Sequence, residues 1–430
     1  MPWPMRSAGG VASAVAVLCL ATAVPALGQS LGPERCAECH LELNDDRLSG
    51  PARMFATDVH ARAGFGCLAC HGGMAGHDAS VGFLSKPGRV RIPELCGSCH
   101  ADAAYMRNFN PSMRVDQLTE YVTSVHGQRL AMGDTAVATC VDCHGAHRTR
   151  PPTDPQADVF AANVATTCGN CHADATRMAA YGIPTDQLDE YRNSVHGRML
   201  FDEGDLSAPT CNDCHGNHGA APPGIGSIRA VCGQCHATMA DFFGQSGHSG
   251  IFEDAGLPGC ETCHGNHDVQ PVSDATLSDR AADVCAQCHE PGDTLGAEFN
   301  RIASLLDSLK AEFARSRELL ETAENAGMEV SQAIFELEEV NNALTMARSA
   351  IHSFRVEPVA ENVTAGLALT QAGIDRGIAA LEEHRFRRVG LALSATIILV
   401  LIIGLVLKIR QLDRAGRAAG PEPLKEERHV

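Results

Sequence analysis

The sequence predicts a mostly α and irregular chain. A cysteine- and histidine-rich segment that cannot build a core of its own precedes a helical hairpin and stalk and one C-terminal transmembrane helix. Three observations carry this. All but one of the 19 cysteines fall in CxxCH strings between Cys36 and His289. Leu, Ile, Val and Phe make up about 17% of that stretch, too little for a packed domain built from side chains alone. Residues 389 to 407 are uncharged and lie between basic flanks.

Residues 1 to 28 have the pattern of a signal peptide. Arg6 precedes an apolar run from Val11 to Val24, and Ala26-Leu27-Gly28 supplies a cleavage site. Cleavage there removes the odd cysteine, Cys19.

Residues 29 to 292 carry nine CxxCH strings: CAECH, CLACH, CGSCH, CVDCH, CGNCH, CNDCH, CGQCH, CETCH and CAQCH. Two thiols at this spacing form thioether bonds to the vinyl groups of a haem, and the histidine that follows becomes the proximal iron ligand. The attachment pairs are Cys36 and Cys39, Cys67 and Cys70, Cys96 and Cys99, Cys140 and Cys143, Cys168 and Cys171, Cys211 and Cys214, Cys232 and Cys235, Cys260 and Cys263, and Cys285 and Cys288. The proximal ligands are His40, His71, His100, His144, His172, His215, His236, His264 and His289. Nine covalently bound haem c groups then supply the missing core. The segment is expected not to fold without them, as small metal domains are unfolded when empty.

The strings fall into four repeats and one leftover motif. Each repeat runs CxxCH, then a histidine in an S/D-x-H context, then CxxCH-G with another histidine close behind. Repeats two and three share DQL-x-EY-x-x-SVHG, from Asp116 to Gly127 and from Asp186 to Gly197, which points to duplication. Eight histidines recur in register as distal ligands: His60, His77, His126, His147, His196, His218, His248 and His267. Met54, Met74, Met106 and Met132 are available but do not repeat. A histidine three residues after a proximal ligand, as His147 is after His144, cannot swing to the far face of the same porphyrin, so it serves a neighbouring iron. An iron with two histidines is saturated and transfers electrons, whereas an open position binds substrate. No catalytic residue is assigned.

Residues 293 to 388 predict a hairpin and stalk. Phe299, Ile302, Leu306, Leu309 and Phe313 keep helical spacing, as do Ile334, Leu337, Val340, Leu344 and Ile351. Asn325-Ala326-Gly327 is the expected break between them. Pro358 is expected to close the second helix, with a third running from about Val359 into the membrane. Nine proximal and eight recurring histidines leave one iron without a partner, and of His352, His384 and His429 only His352 stands clear of the membrane. A hairpin reversing at Gly327 would return His352 to His289, so His352 is expected to ligate the ninth iron.

Residues 389 to 407 form the transmembrane helix and 408 to 430 the tail. Haem attachment takes place outside the cytoplasm, so the haem segment is placed on the periplasmic face of the inner membrane and the tail in the cytoplasm. A formal charge of -18 argues against nucleic acid and against anionic lipid as partners of the haem segment.

CHGAH at Cys143 to His147, CHGNH at Cys214 to His218 and at Cys263 to His267, and the SVHG strings at Ser124 and Ser194 resemble multihaem c-type cytochromes of the class III and doubled-CxxCH type. That group includes periplasmic donors to nitrite reductase and metal-reducing conduits. The resemblance covers residues 36 to 289 and implies low-spin bis-histidine haems in a chain and an electron-transfer role. ARSAIHSF, from Ala347 to Phe354, and the helical C-terminal part resemble the hydroxylamine oxidoreductase class. The expected function is electron transfer between a membrane quinol-oxidising partner and periplasmic redox proteins. The alternative is a terminal reductase or oxidase of small nitrogen or sulfur compounds with one open haem.

Overall fold

The computed structural model describes residues 36–72, 87–274, 277, 285–290 and 294–418. The expected signal peptide, His77 and residues 419–430 lie outside the described residues. Those described form helices and turns and no strand. They divide into two compact units, one of Met1–Leu118 with Arg129–Ala157 and the other of Thr119–Gln128 with Asp158–Val430.

Short helices carry the CxxCH strings. Cys140–His144 and Cys211–His215 each begin with a capping box. Thr139 N–H donates to Asp142 Oδ2 at 2.7 Å, and Thr210 N–H to Asp213 Oδ2 at 2.7 Å, so the Asp inside each string satisfies an orphan donor at the helix start. The glycine after the CxxCH histidine then stops the helix with positive φ at Gly145, Gly216 and Gly265, a conformation that costs glycine nothing.

A second set of short helices begins at the S/D-x-H histidines: α1 (Val59–Arg62), α2 (Val125–Ala131), α3 (Val195–Phe201) and α4 (Gly247–Ala255). The backbone N–H of Val59 donates to Thr149 O at 2.9 Å, that of Val125 to Ala220 O at 3.1 Å, and that of Val195 to Val269 O at 2.7 Å. Each acceptor lies two residues beyond the CHGxH histidine of the following sequence repeat. The structural module is therefore offset from the sequence repeat. Gly127 and Gly197 are required by close approach, since a Cβ would sit 2.0 Å from Tyr121 O and 1.9 Å from Tyr191 O.

The second unit also contains a three-helix bundle. α5 (Thr294–Asn325) reverses at Gly327, whose φ is 78°. The returning limb is split at Glu338 into α6 (Ser331–Leu337) and α7 (Glu339–Ala350). Ile302, Leu306, Leu309, Leu320, Val340, Val359 and Val363 are buried in one core. Pro358 does not close the second helix. A 3-10 turn, Ile351–Ser353, followed by Phe354 at φ 54° ends it. Pro358 lies in the first turn of α8 (Val356–Ala418), where its missing N–H would be unbonded in any case.

α8 is a single helix of 63 residues. Its first part packs in the bundle, with Gly373 so close to α5 that a Cβ would meet Ser316 Oγ at 2.2 Å. Its later part exposes Val389, Leu391, Ile397 to Ile403 and Leu405 to Leu407. Among the described residues this is one helix long and apolar enough to cross a membrane. The loop after His267 is clamped to the bundle: Arg348 grips Asp274 through two bonds of 2.8 and 2.9 Å, and Lys310 reaches it at 3.1 Å.

Candidate haem sites

In the first unit the rings of His60 and His100 lie 5.9 Å apart, centre to centre, and those of His71 and His147 also 5.9 Å. In the second unit His126 faces His172 at 6.2 Å, His196 faces His236 at 6.3 Å, and His215 faces His267 at 6.0 Å. His248 faces His289 at 6.1 Å and His264 faces His352 at 6.1 Å. Each pair joins one CxxCH histidine to one histidine from outside the strings.

The spacing suits an iron between the rings. Two metal–imidazole bonds of about 2 Å laid end to end, with half a ring beyond each, separate ring centres by roughly 6 Å. The alternative for CxxC strings is tetrahedral zinc, which needs four converging ligands. Among the described residues no three His, Cys, Asp or Glu side chains converge to hold a metal ion. The residues therefore fit haem, which brings its own equatorial nitrogens.

The pairing follows one rule. The histidine of each S/D-x-H helix faces the first motif of the next repeat: His60 to His100, His126 to His172 and His196 to His236. Two CHGxH histidines face the second motif of the preceding repeat, His147 to His71 and His267 to His215. At the end of the series the ring contacts differ from the expectation that His352 serves the motif ending at His289. α4 keeps the register and carries His248 to His289, the position expected for His352. His352 instead stands where a fifth CHGxH histidine would, against His264.

The outer ring nitrogens are held. His352 Nδ1 lies 3.0 Å from Ser349 O, His40 Nδ1 3.1 Å from Leu48 O and His215 Nδ1 3.2 Å from Ala221 O. A carbonyl acceptor fixes the proton on Nδ1 and leaves Nε2 to ligate. His218 Nδ1 is 3.7 Å from Glu120 and His267 Nδ1 3.7 Å from Glu190, two glutamates at the same place in the DQL-x-EY repeat. Burial pushes His100, His147, His172, His196, His248, His267 and His352 below the usual imidazole value. Neutral imidazole is the ligating form.

The attachment cysteines also approach one another. Cys96 is within hydrogen-bonding reach of Cys140 in the first unit, as Cys168 is of Cys211 and Cys232 of Cys260 in the second. Repeats two, three and four thus each bring the first cysteines of their two CxxCH strings together.

The chain is similar to a C-type polyheme cytochrome of Geobacter sulfurreducens. The two are 25% identical over 225 residues, covering 43% of this chain and 26% of the relative. The chain therefore spans about a quarter of that protein's length. No family model matches, and no solved structure matches.

Two positions beside the facing histidines were not singled out from the sequence. Asp58 is wholly buried beside His60; its signal was an aspartate where the other repeats place serine. Phe354 packs against His248 with ring centres 4.0 Å apart and the rings tilted by 40°, and it has positive φ, a costly conformation for a bulky residue. The turn Ile351–Phe354 thus holds His352 against His264 and a ring against His248.

Proposed function

We propose that this chain is a membrane-anchored c-type cytochrome with nine haems, each iron held by two histidines, that transfers electrons and performs no substrate chemistry. The observation that carries it is the set of facing imidazoles about 6 Å apart, each including a CxxCH histidine. Bound haem would supply one-electron iron chemistry; the chain supplies covalent attachment at the cysteines, axial nitrogens and a fixed order of attachment points. The Geobacter relative's description as a polyheme cytochrome supports the same assignment.

The stalk bears on the partner. From Val356 to Val389, α8 rises about 50 Å, so the turn bearing His352 is carried well away from the start of the apolar segment. This favours a donor that oxidises quinol in the membrane and presents its own redox centre clear of the bilayer. Periplasmic redox proteins are the acceptors, and the inner membrane is the location.

Electron paramagnetic resonance of the oxidised protein, with a haem count by pyridine haemochrome, tests this. Low-spin iron throughout is expected. His352→Ala should convert one iron, that at Cys260 and Cys263, to a high-spin or weak-ligand state without loss of haem. A high-spin iron in the unaltered protein would favour the terminal reductase or oxidase.

A further inference from the structure

Four S/D-x-H helices present histidines in the same way, but the residue before each differs in one case. Ser124, Ser194 and Ser246 precede α2, α3 and α4, and Asp58 precedes α1. The three serines direct their hydroxyls to backbone carbonyls: Ser124 to Tyr121 O at 2.6 Å, Ser194 to Tyr191 O at 2.6 Å and Ser246 to Phe243 O at 2.7 Å. Asp58 does something else. Its side chain is 0% exposed, Oδ1 accepts from His60 Nδ1 at 2.8 Å and from His60 N–H at 2.8 Å, and Oδ2 accepts from Thr149 N–H at 2.6 Å. A carboxylate placed so deeply needs partners to be tolerated, and one of the three is the ring that faces His100.

We propose that Asp58 is a positioning residue that lowers the reduction potential of the iron attached through Cys96 and Cys99, relative to the irons served by His126, His196 and His248. The proposal rests on the two-histidine assignment above. A carboxylate bonded to Nδ1–H fixes the tautomer, aims Nε2 at the iron and raises the basicity of the imidazole. A more basic ligand and a buried negative charge beside it both favour the ferric state. The change is one electron on that iron, taken in the test from dithionite. The Nδ1 proton stays on His60 in both states.

The measurement is a spectroelectrochemical titration of the full-length protein, followed by magnetic resonance that resolves the irons. Asp58→Asn keeps the shape and removes the charge, and Asp58→Ser copies the other three repeats. In both, one single-electron step should move to higher potential by about tenfold in its equilibrium constant, which is ~59 mV for one electron, while low-spin signals and haem content stay unchanged. Ser246→Asp places the carboxylate before His248 and should shift the iron at Cys285 and Cys288 to lower potential, so the idea remains testable should the Asp58 variants fold poorly. Retention of low-spin iron with no step displaced in any folded variant would overturn the role of Asp58. Absence of low-spin iron at Cys96 and Cys99 in the unaltered protein would overturn the ligand assignment, and this role with it.

Discussion

In the bundle, Ile302, Leu306, Leu309, Val340, Val359 and Val363 are at most 1% exposed and belong to one continuous core. In the CxxCH-bearing part of the same unit, one buried cluster is Ala165, Tyr191, Leu200 and Ala208. Both parts are helical, but the first closes on its own side chains. The second consists of short helices held by caps, glycine stops and paired imidazoles. Helix content therefore says little about what holds each part together.

The largest expected effect separates the two directly. Chain exported without haem attachment should lose protection across residues 36 to 290 while the bundle stays helical and protease-resistant, read by limited proteolysis with mass spectrometry. A cooperative, haem-free fold of the first part would erase the distinction. Next in size, Leu309→Ala should remove about 2–5 kcal/mol from the bundle, as core truncations do, and leave the low-spin spectrum intact; calorimetry and absorption spectra check both halves.

A smaller effect concerns the joint between the parts. Gly normally weakens a chain relative to Ala, but at Phe354 the positive φ reverses the order. Phe354→Gly is expected to be more stable than Phe354→Ala by about 1 kcal/mol, seen in thermal melts, and both should alter the signal of the iron facing His248.

The smallest effect is electrostatic. The Arg348 guanidinium, and then Lys310, hold the Asp274 carboxyl below its ordinary range, against the opposing effect of burial. A depressed carboxylate contributes stability that is complete above its unfolded value, about pH 4, and is lost as pH falls through the folded value. Proteolysis within the loop after His267 should therefore rise below about pH 4, and Asp274→Asn should abolish that dependence. The contribution is at most about 1 kcal/mol, given its partly solvated partners.

The hairpin was legible because Ile302, Leu306 and Leu309 repeat at helical spacing and Gly327 breaks the pattern. The end of its second limb was misassigned to Pro358, since a proline ends one helix or begins another with equal ease, and a bulky residue at positive φ leaves no trace in sequence. The S/D-x-H histidines were legible as a set through their register, yet Asp58 was absorbed into the pattern because serine and aspartate both cap helices.

The sequence by itself determined what is encoded within a few residues: the nine CxxCH strings, the recurring histidines and the apolar length of α8. A CxxCH string is a local pattern, and apolar length is a matter of composition. Only the tertiary structure decided which imidazole meets which. It set His248 against His289 and His352 against His264, placed Asp58 on His60, and carried the His352 turn about 50 Å along the stalk from the apolar segment. The facing imidazoles of His248 and His289, and of His264 and His352, lie far apart along the chain, and tertiary packing brings them together, which no five-residue string contains.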